Sequence, residues 1–240
     1  MRIIFLRITA AFFCAALTVC LIGYKKNRLK IAVYTRPFVC PLLLAATVLF
    51  LVGYLPDAKN ILVLTVLSLT FSTVGVILTD FSPEKNKKRT AAGAVLFTVA
   101  GTSYLILLQP SFYLFPLPPW LFILIAGCYA ALEIVIIIRF SKKKHPLFLL
   151  LTAVYAAVIL TLHFAALITA AGSMRLYSVP LLLGATALAF ASFCAVKKAA
   201  DTEHTSAPER FHENQNFVTM LLFALSQLLL CTGFCCMTAL

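Results

Sequence analysis

Charge is what this 240-residue chain has least of. Only 12% of its residues are charged, and Asp and Glu together number eight. A soluble domain is about a quarter charged and about half apolar. Here 62% is hydrophobic. So little polar surface cannot cover so much apolar surface, which excludes an aqueous globular domain and makes lipid the solvent. Other absences narrow the chemistry. The chain has no nucleophile elbow, no zinc signature and no glycine loop for phosphate. It has no CxxC and no Cys/His metal spacing. No metal and no cofactor is therefore implied. Period-2 alternation is also missing, which argues against a membrane barrel.

What is present is basic. Twenty Lys and Arg give a net charge of +12. A nucleic-acid surface would interleave basic and aromatic residues, whereas these lie in short connectors between apolar runs. No nucleic-acid partner is expected, and the basic residues read as topology signals. Eight cysteines (Cys14, Cys20, Cys40, Cys128, Cys194, Cys231, Cys235 and Cys236) all fall in apolar segments and read as small apolar filler. Nothing in the spacing accounts for the adjacent pair Cys235 and Cys236.

A helix needs about 20 apolar residues to cross the hydrocarbon core. Eight segments qualify: roughly 3–23, 36–55, 60–79, 90–109, 118–138, 146–170, 175–196 and 216–238. The expected architecture is all-α, a single membrane domain over 1–240 with eight spans. Arg2 and Arg7 flank the first run, and "LTVC" at 17–20 is similar to a lipoprotein cleavage box, but Val19 is too bulky before the cysteine. The first run is therefore expected to stay as a membrane helix. The first connector carries Lys25, Lys26, Arg28, Lys30 and, at its edge, Arg36. The third carries Lys85, Lys87, Lys88 and Arg89; the fifth Arg139, Lys142, Lys143 and Lys144; the seventh Lys197, Lys198 and Arg210. The even connectors hold only Lys59 and Arg175. By the positive-inside rule both termini are expected to be non-cytoplasmic. The expected location is a plasma membrane, or the inner membrane of a bacterium.

Ionisable groups at membrane depth are costly and mark function by default. Glu133, in "GCYAALEIVIIIRF", lies about 9 Å inside Arg139 at 1.5 Å per residue. It either pairs with a basic residue near the inner interface or serves a site. His163 reads more readily as a packed, hydrogen-bonded residue than as a catalyst. Gln227, in "FALSQLLL", needs a partner across a helix interface. Tyr104 and Ser103 in the fourth span are weak signals singly. Asp80 ends the third run beside a basic loop, where a solvated role is expected.

Five segments occur in a telling order. They are "RPFVCPLLL" at 36–44, "FSTVGVIL" at 71–78, "GAVLFTVAGTSY" at 93–104, "GATALAFASFCAV" at 184–196 and "FALSQLL" at 223–229. Together, from about Tyr34 to Gly233, they resemble the YhhN family of eight-span membrane proteins, the lysoplasmalogenase family. The second segment looks like that family's Phe-Ser-x-x-Gly-Asp-x-x-Leu helix, and the third like its Gly-x-x-x-Phe-x-x-x-His-x-x-Tyr helix. The fourth looks like its Gly-Ala…Ser-Asp helix, and the fifth like its Tyr-x-x-Ala-Gln-Leu-Leu helix. The resemblance implies hydrolysis of the vinyl ether of a lysoplasmalogen to a fatty aldehyde and a glycerophospho-head group. That reaction needs an acid to protonate the vinyl carbon and a group to position water. This chain departs at the polar positions. Val76 stands where the resemblance expects an aspartate, Gly101 where it expects a histidine, Ser192 where it expects an aspartate, and Phe223 where it expects a tyrosine. Phe71, Ser72, Gly75, Gly93, Phe97, Tyr104, Gly184 and Gln227 match it.

Three readings follow. The chain is a diverged or non-catalytic member that binds a membrane lipid or lysolipid, its site lined by Ser72, Gly75, Val76, Gly101, Tyr104, Ser192 and Gln227. Alternatively it is an active hydrolase with a relocated acid, for which Glu133 is the one catalytic candidate. By residue count Val76, Ser192 and Glu133 lie within about two helical turns of the inner boundary and share a layer. The last reading is a transporter or membrane assembly partner, although no broken-helix pair marks a pathway.

Overall fold

The computed structural model describes residues 2–26, 28–54, 59–80, 87–114, 118–141, 146–173, 176–201 and 209–238. They form eight α-helices: α1 (Arg2–Lys25), α2 (Leu29–Tyr54), α3 (Lys59–Asp80), α4 (Lys87–Leu114), α5 (Pro119–Ser141), α6 (Pro146–Ser173), α7 (Ser178–Asp201) and α8 (Glu209–Thr238). Every one is long and apolar enough to cross a membrane. The physical reason is the one legible in the sequence. Lipid offers backbone groups no hydrogen bonds, so each long apolar run must satisfy its own N–H and C=O groups as a helix.

The helices outrun the apolar runs at several ends. α2 begins at Leu29 rather than near 36, and its interior holds Pro37 and Pro41. α4 continues to Leu114 rather than ending near 109, and α8 begins at Glu209 within a polar stretch. Hydropathy marks where a helix is buried in lipid and not where its hydrogen bonding stops. Proline sits at the first position of both α5 and α6, where its missing N–H costs nothing. The turn from α1 to α2 is closed by Arg28 N donating to Gly23 O at 2.8 Å. At Gly23 a Cβ would lie 2.9 Å from Ala32 N, so the two helices meet there backbone to backbone.

Packing partners run α1 with α2, α2 with α3, α3 with α4, α4 with α6, α6 with α7 and α7 with α8, and α8 also touches α1, α2 and α3. α8 is the most enclosed helix, with 56% of its apolar window buried, while none of the α5 window is buried. α5 leans on α6 at the edge of the bundle. Large apolar side chains face outward, among them Phe38, Trp120, Ile123 and Phe190. Buried inside are Thr65, Ser68, Ser72, Ser226 and Gln227. This arrangement suits a lipid solvent, because helices then associate through close packing and interhelical hydrogen bonds rather than through apolar burial alone. Ser68 Oγ donates to Ala100 O at 2.9 Å and ties α3 to α4. Gly184 and Gly233 let α7 and α8 touch. A Cβ at Gly184 would meet Leu230 N at 2.9 Å, and one at Gly233 would meet Leu181 Cγ at 2.5 Å.

Candidate functional site

A narrow pocket of about 10 Å³ opens where α3, α4, α6, α7 and α8 converge. Ser72 comes from α3, Phe97, Gly101 and Tyr104 from α4, Tyr155 and Ile159 from α6, Leu188 from α7, and Phe223 and Gln227 from α8. The α4 contributors recur at three- and four-residue spacing, which puts them on one helical face. Its volume is close to the space one water occupies.

One polar wall joins α4 to α8. The Tyr104 hydroxyl donates to Gln227 Oε1 at 2.8 Å. With that proton committed, the Cys231 thiol, 3.8 Å away, is the donor to the tyrosine oxygen. The Tyr104 ring stacks on Phe234 at 5.6 Å between centroids. A second polar wall joins α6 to α7, where the hydroxyls of Tyr155 and Ser192 lie 2.7 Å apart. Phe97 and Phe223 close the apolar side in an edge-to-face pair with centroids 5.9 Å apart. Gly75 makes room for this pair, because a Cβ there would lie 3.2 Å from the Phe97 ring.

The sequence-derived candidates divide into two groups. Ser72, Gly101, Tyr104 and Gln227 line the pocket. Ser192 holds one of its lining tyrosines, Gly75 seats another lining ring, and Val76 is buried one turn beyond Ser72. Glu133 is not with them. It is half-buried on α5, a helix that supplies nothing to the pocket. The pocket lining therefore contains no carboxylate. Length along a helix fixes depth, but azimuth and helix order decide which groups meet.

Gly101 is packed closely by α6. A Cβ there would come within 2.9 Å of Val158 Cγ1. The space that a larger residue at 101 would use is occupied by α6.

Tyr155 was not singled out by sequence reasoning. Its only signal is a phenol inside "LTAVYAAVIL", where a buried hydroxyl must find a partner. His163 makes a separate cluster. Its Nδ1 bonds the Tyr129 hydroxyl, and its Nε2 lies 3.0 Å from Thr186 Oγ1. Thr186 Oγ1 donates to Leu182 O at 2.7 Å, so it accepts from His163. His163 thus carries a hydrogen on Nε2 and shares a second hydrogen bond with Tyr129 through Nδ1. Both ring nitrogens are used, as expected for a packed histidine, and the chain of bonds ties α5 through α6 to α7. Cys20, Cys40, Cys231 and Cys235 are buried, Cys14, Cys128 and Cys236 face outward, and none is in a disulfide. Among the described residues no three His, Cys, Asp or Glu come together as metal ligands.

The YhhN family matches residues 31–234, most of the chain. The chain belongs to the YhhN family. The match begins in the first turns of α2 and ends in the last turns of α8, so it takes in every helix that lines the pocket. No curated protein and no solved structure matches the chain. This YhhN-family chain is a multi-span membrane protein.

Proposed function

We propose that this YhhN-family protein keeps the family pocket as a neutral binding site for a lipid or lysolipid and does not cleave a vinyl ether. One observation carries the reading. Of the four positions where the resemblance expects an aspartate, a histidine, an aspartate and a tyrosine, Gly101 and Phe223 line the pocket, Ser192 bonds its lining Tyr155, and Val76 is buried one turn along α3 from its lining Ser72; none of the four carries an acid or an imidazole. The pocket walls carry hydroxyls and an amide but no carboxyl group. Protonating a vinyl carbon needs a proton donor far stronger than a phenol or an amide. Glu133 offers no replacement, since α5 contributes nothing to the pocket. Because the pocket has room for about one water, an acyl chain enters only if the surrounding helices part. The basic connectors further support a topology with both termini non-cytoplasmic, which reporter fusions at each connector would check.

The test uses the purified full chain in nanodiscs, supplied with a lysoplasmalogen. The expected result is no aldehyde above an empty-nanodisc blank, together with lysolipid retained on the protein by mass spectrometry. Aldehyde release that is lost in Glu133→Gln would overturn the reading in favour of a relocated acid. Release unaffected by that change would equally overturn it.

A further inference from the structure

The polar groups around the pocket have their hydrogens assigned by their neighbours. Ser192 Oγ donates to Leu188 O at 2.7 Å. The Tyr155 hydroxyl, also 2.7 Å from Ser192 Oγ, must therefore donate to it. This leaves a lone pair of the Tyr155 oxygen free to accept. On the opposite wall the Tyr104 hydroxyl donates to Gln227 Oε1. The hydrogens on Gln227 Nε2 find no acceptor among the described residues. Ser72 is the third group. It is 1% exposed and lines the pocket, and its hydroxyl has no hydrogen-bond partner among the described residues. Polar groups buried without partners are costly, and such groups normally find a bond.

Two unspent donors and one unspent acceptor thus surround a space of about 10 Å³. A site that holds a buried water needs two to four polar partners and about 10–15 Å³. The lining has no charged side chain, so a phosphate or an ammonium group would be desolvated without compensation. We propose that the pocket binds one neutral hydroxylic oxygen, either a water molecule or the free hydroxyl of a lipid. Ser72 and Gln227 donate to this oxygen, and it donates to Tyr155. The assignment rests on the proposed lipid-binding reading for its second source. It names the chemistry that the pocket takes and does not depend on whether any ether is cleaved.

The test is X-ray hydroxyl-radical footprinting of the full chain, read by mass spectrometry. A bound water generates radicals in place and oxidises the rings beside it. In lipid-stripped protein, Phe97 and Phe223 are expected to be oxidised faster than the lipid-facing Phe38 and Phe190. Ser72→Val fills the space and removes the donor, so it is expected to abolish that excess. Gln227→Leu removes the other donor and serves if the valine variant does not fold. Adding a monoalkylglycerol separates the sources. A fall in oxidation at Phe97 and Phe223 identifies a lipid hydroxyl competing for the site, whereas unchanged oxidation identifies water as the occupant. No excess oxidation in the stripped protein would overturn the proposal. An excess that persists in both variants would overturn it too. Aldehyde release in the lysoplasmalogen assay would sink the non-catalytic reading yet leave this footprint unchanged, so the two failures are distinguishable.

Discussion

The contact between Gly101 and Val158 gives a quantitative check on how tightly α6 closes the space beside Gly101. In Gly101→Ala, helix propensity alone favours alanine by about 1 kcal/mol. The added Cβ would approach Val158 Cγ1 to 2.9 Å, while Ile159 Cδ1 at 3.6 Å is in ordinary contact. Overpacking of this kind costs about 1–3 kcal/mol. The expected outcome is a net loss of about 0–2 kcal/mol. In a Val158→Ala background the opposing methyl is gone, and the same change should be neutral or stabilising by up to about 1 kcal/mol. The two substitutions are therefore coupled by about 1–3 kcal/mol, a sum that a double-mutant cycle isolates. The assay is thermal unfolding in detergent followed with a thiol-reactive dye, for which the buried free Cys40 and Cys231 are internal reporters. For a chain of this size 1 kcal/mol corresponds to about 2–4 °C. Additivity within about 0.5 kcal/mol would refute the reasoning. It would mean that Val158 yields freely and that the space at 101 is not closed.

Other substitutions read other parts of the bundle. Gly184→Ala should destabilise by about 1–3 kcal/mol despite its better helix propensity, because its Cβ meets the Leu230 backbone nitrogen at 2.9 Å and backbone cannot swing aside; an unchanged melting temperature would contradict the close approach of α7 and α8. Tyr104→Phe strands Gln227 Oε1 and should cost about 1–3 kcal/mol, measured by the same melt. Tyr129→Phe removes the hydrogen-bond partner of His163 Nδ1 at a cost of about 1 kcal/mol. Limited proteolysis should then cut around α5 sooner than around the other helices, and uniform protection would count against the anchoring role. Glu133→Gln should leave pocket footprinting unchanged, since Glu133 lies outside the lining.

Much of the fold was legible because one constraint dominates it. Runs such as 60–79 and 118–138 are long enough to span and have no alternative to the helix in lipid. Helix ends were less legible, as α2 and α8 show, because helical hydrogen bonding continues into polar connectors that hydropathy treats as loops. The pairing of helices was not legible at all. α5 is apolar over most of its length, so nothing in its sequence says that Glu133 lies outside the pocket lining while Tyr129 reaches His163. Gln227 was marked as needing a partner, and the partner proved to be Tyr104. That pairing crosses 123 positions of sequence, which no local pattern encodes. Tyr155 escaped notice for a related reason. A tyrosine in an apolar run shows its importance only through the Ser192 hydroxyl that the neighbouring helix brings to it.

The residues that match the resemblance, compared with those that depart from it, bear on the function. Val76, Gly101 and Phe223 depart, and each puts an apolar residue where the resemblance expects a polar one, so no polar group needs desolvating there. Several that match have evident structural duties. Gly75 lies under the Phe97 ring, Gly184 lies against the Leu230 backbone, and Tyr104 and Gln227 bond each other across α4 and α8. Stability alone explains these, whatever the protein does. Ser72 is different. Its hydroxyl holds no helix to another among the described residues, it faces the pocket, and an alanine there would lose no bond and avoid a desolvation cost. A serine that stability does not require is what the proposed hydroxylic ligand would account for.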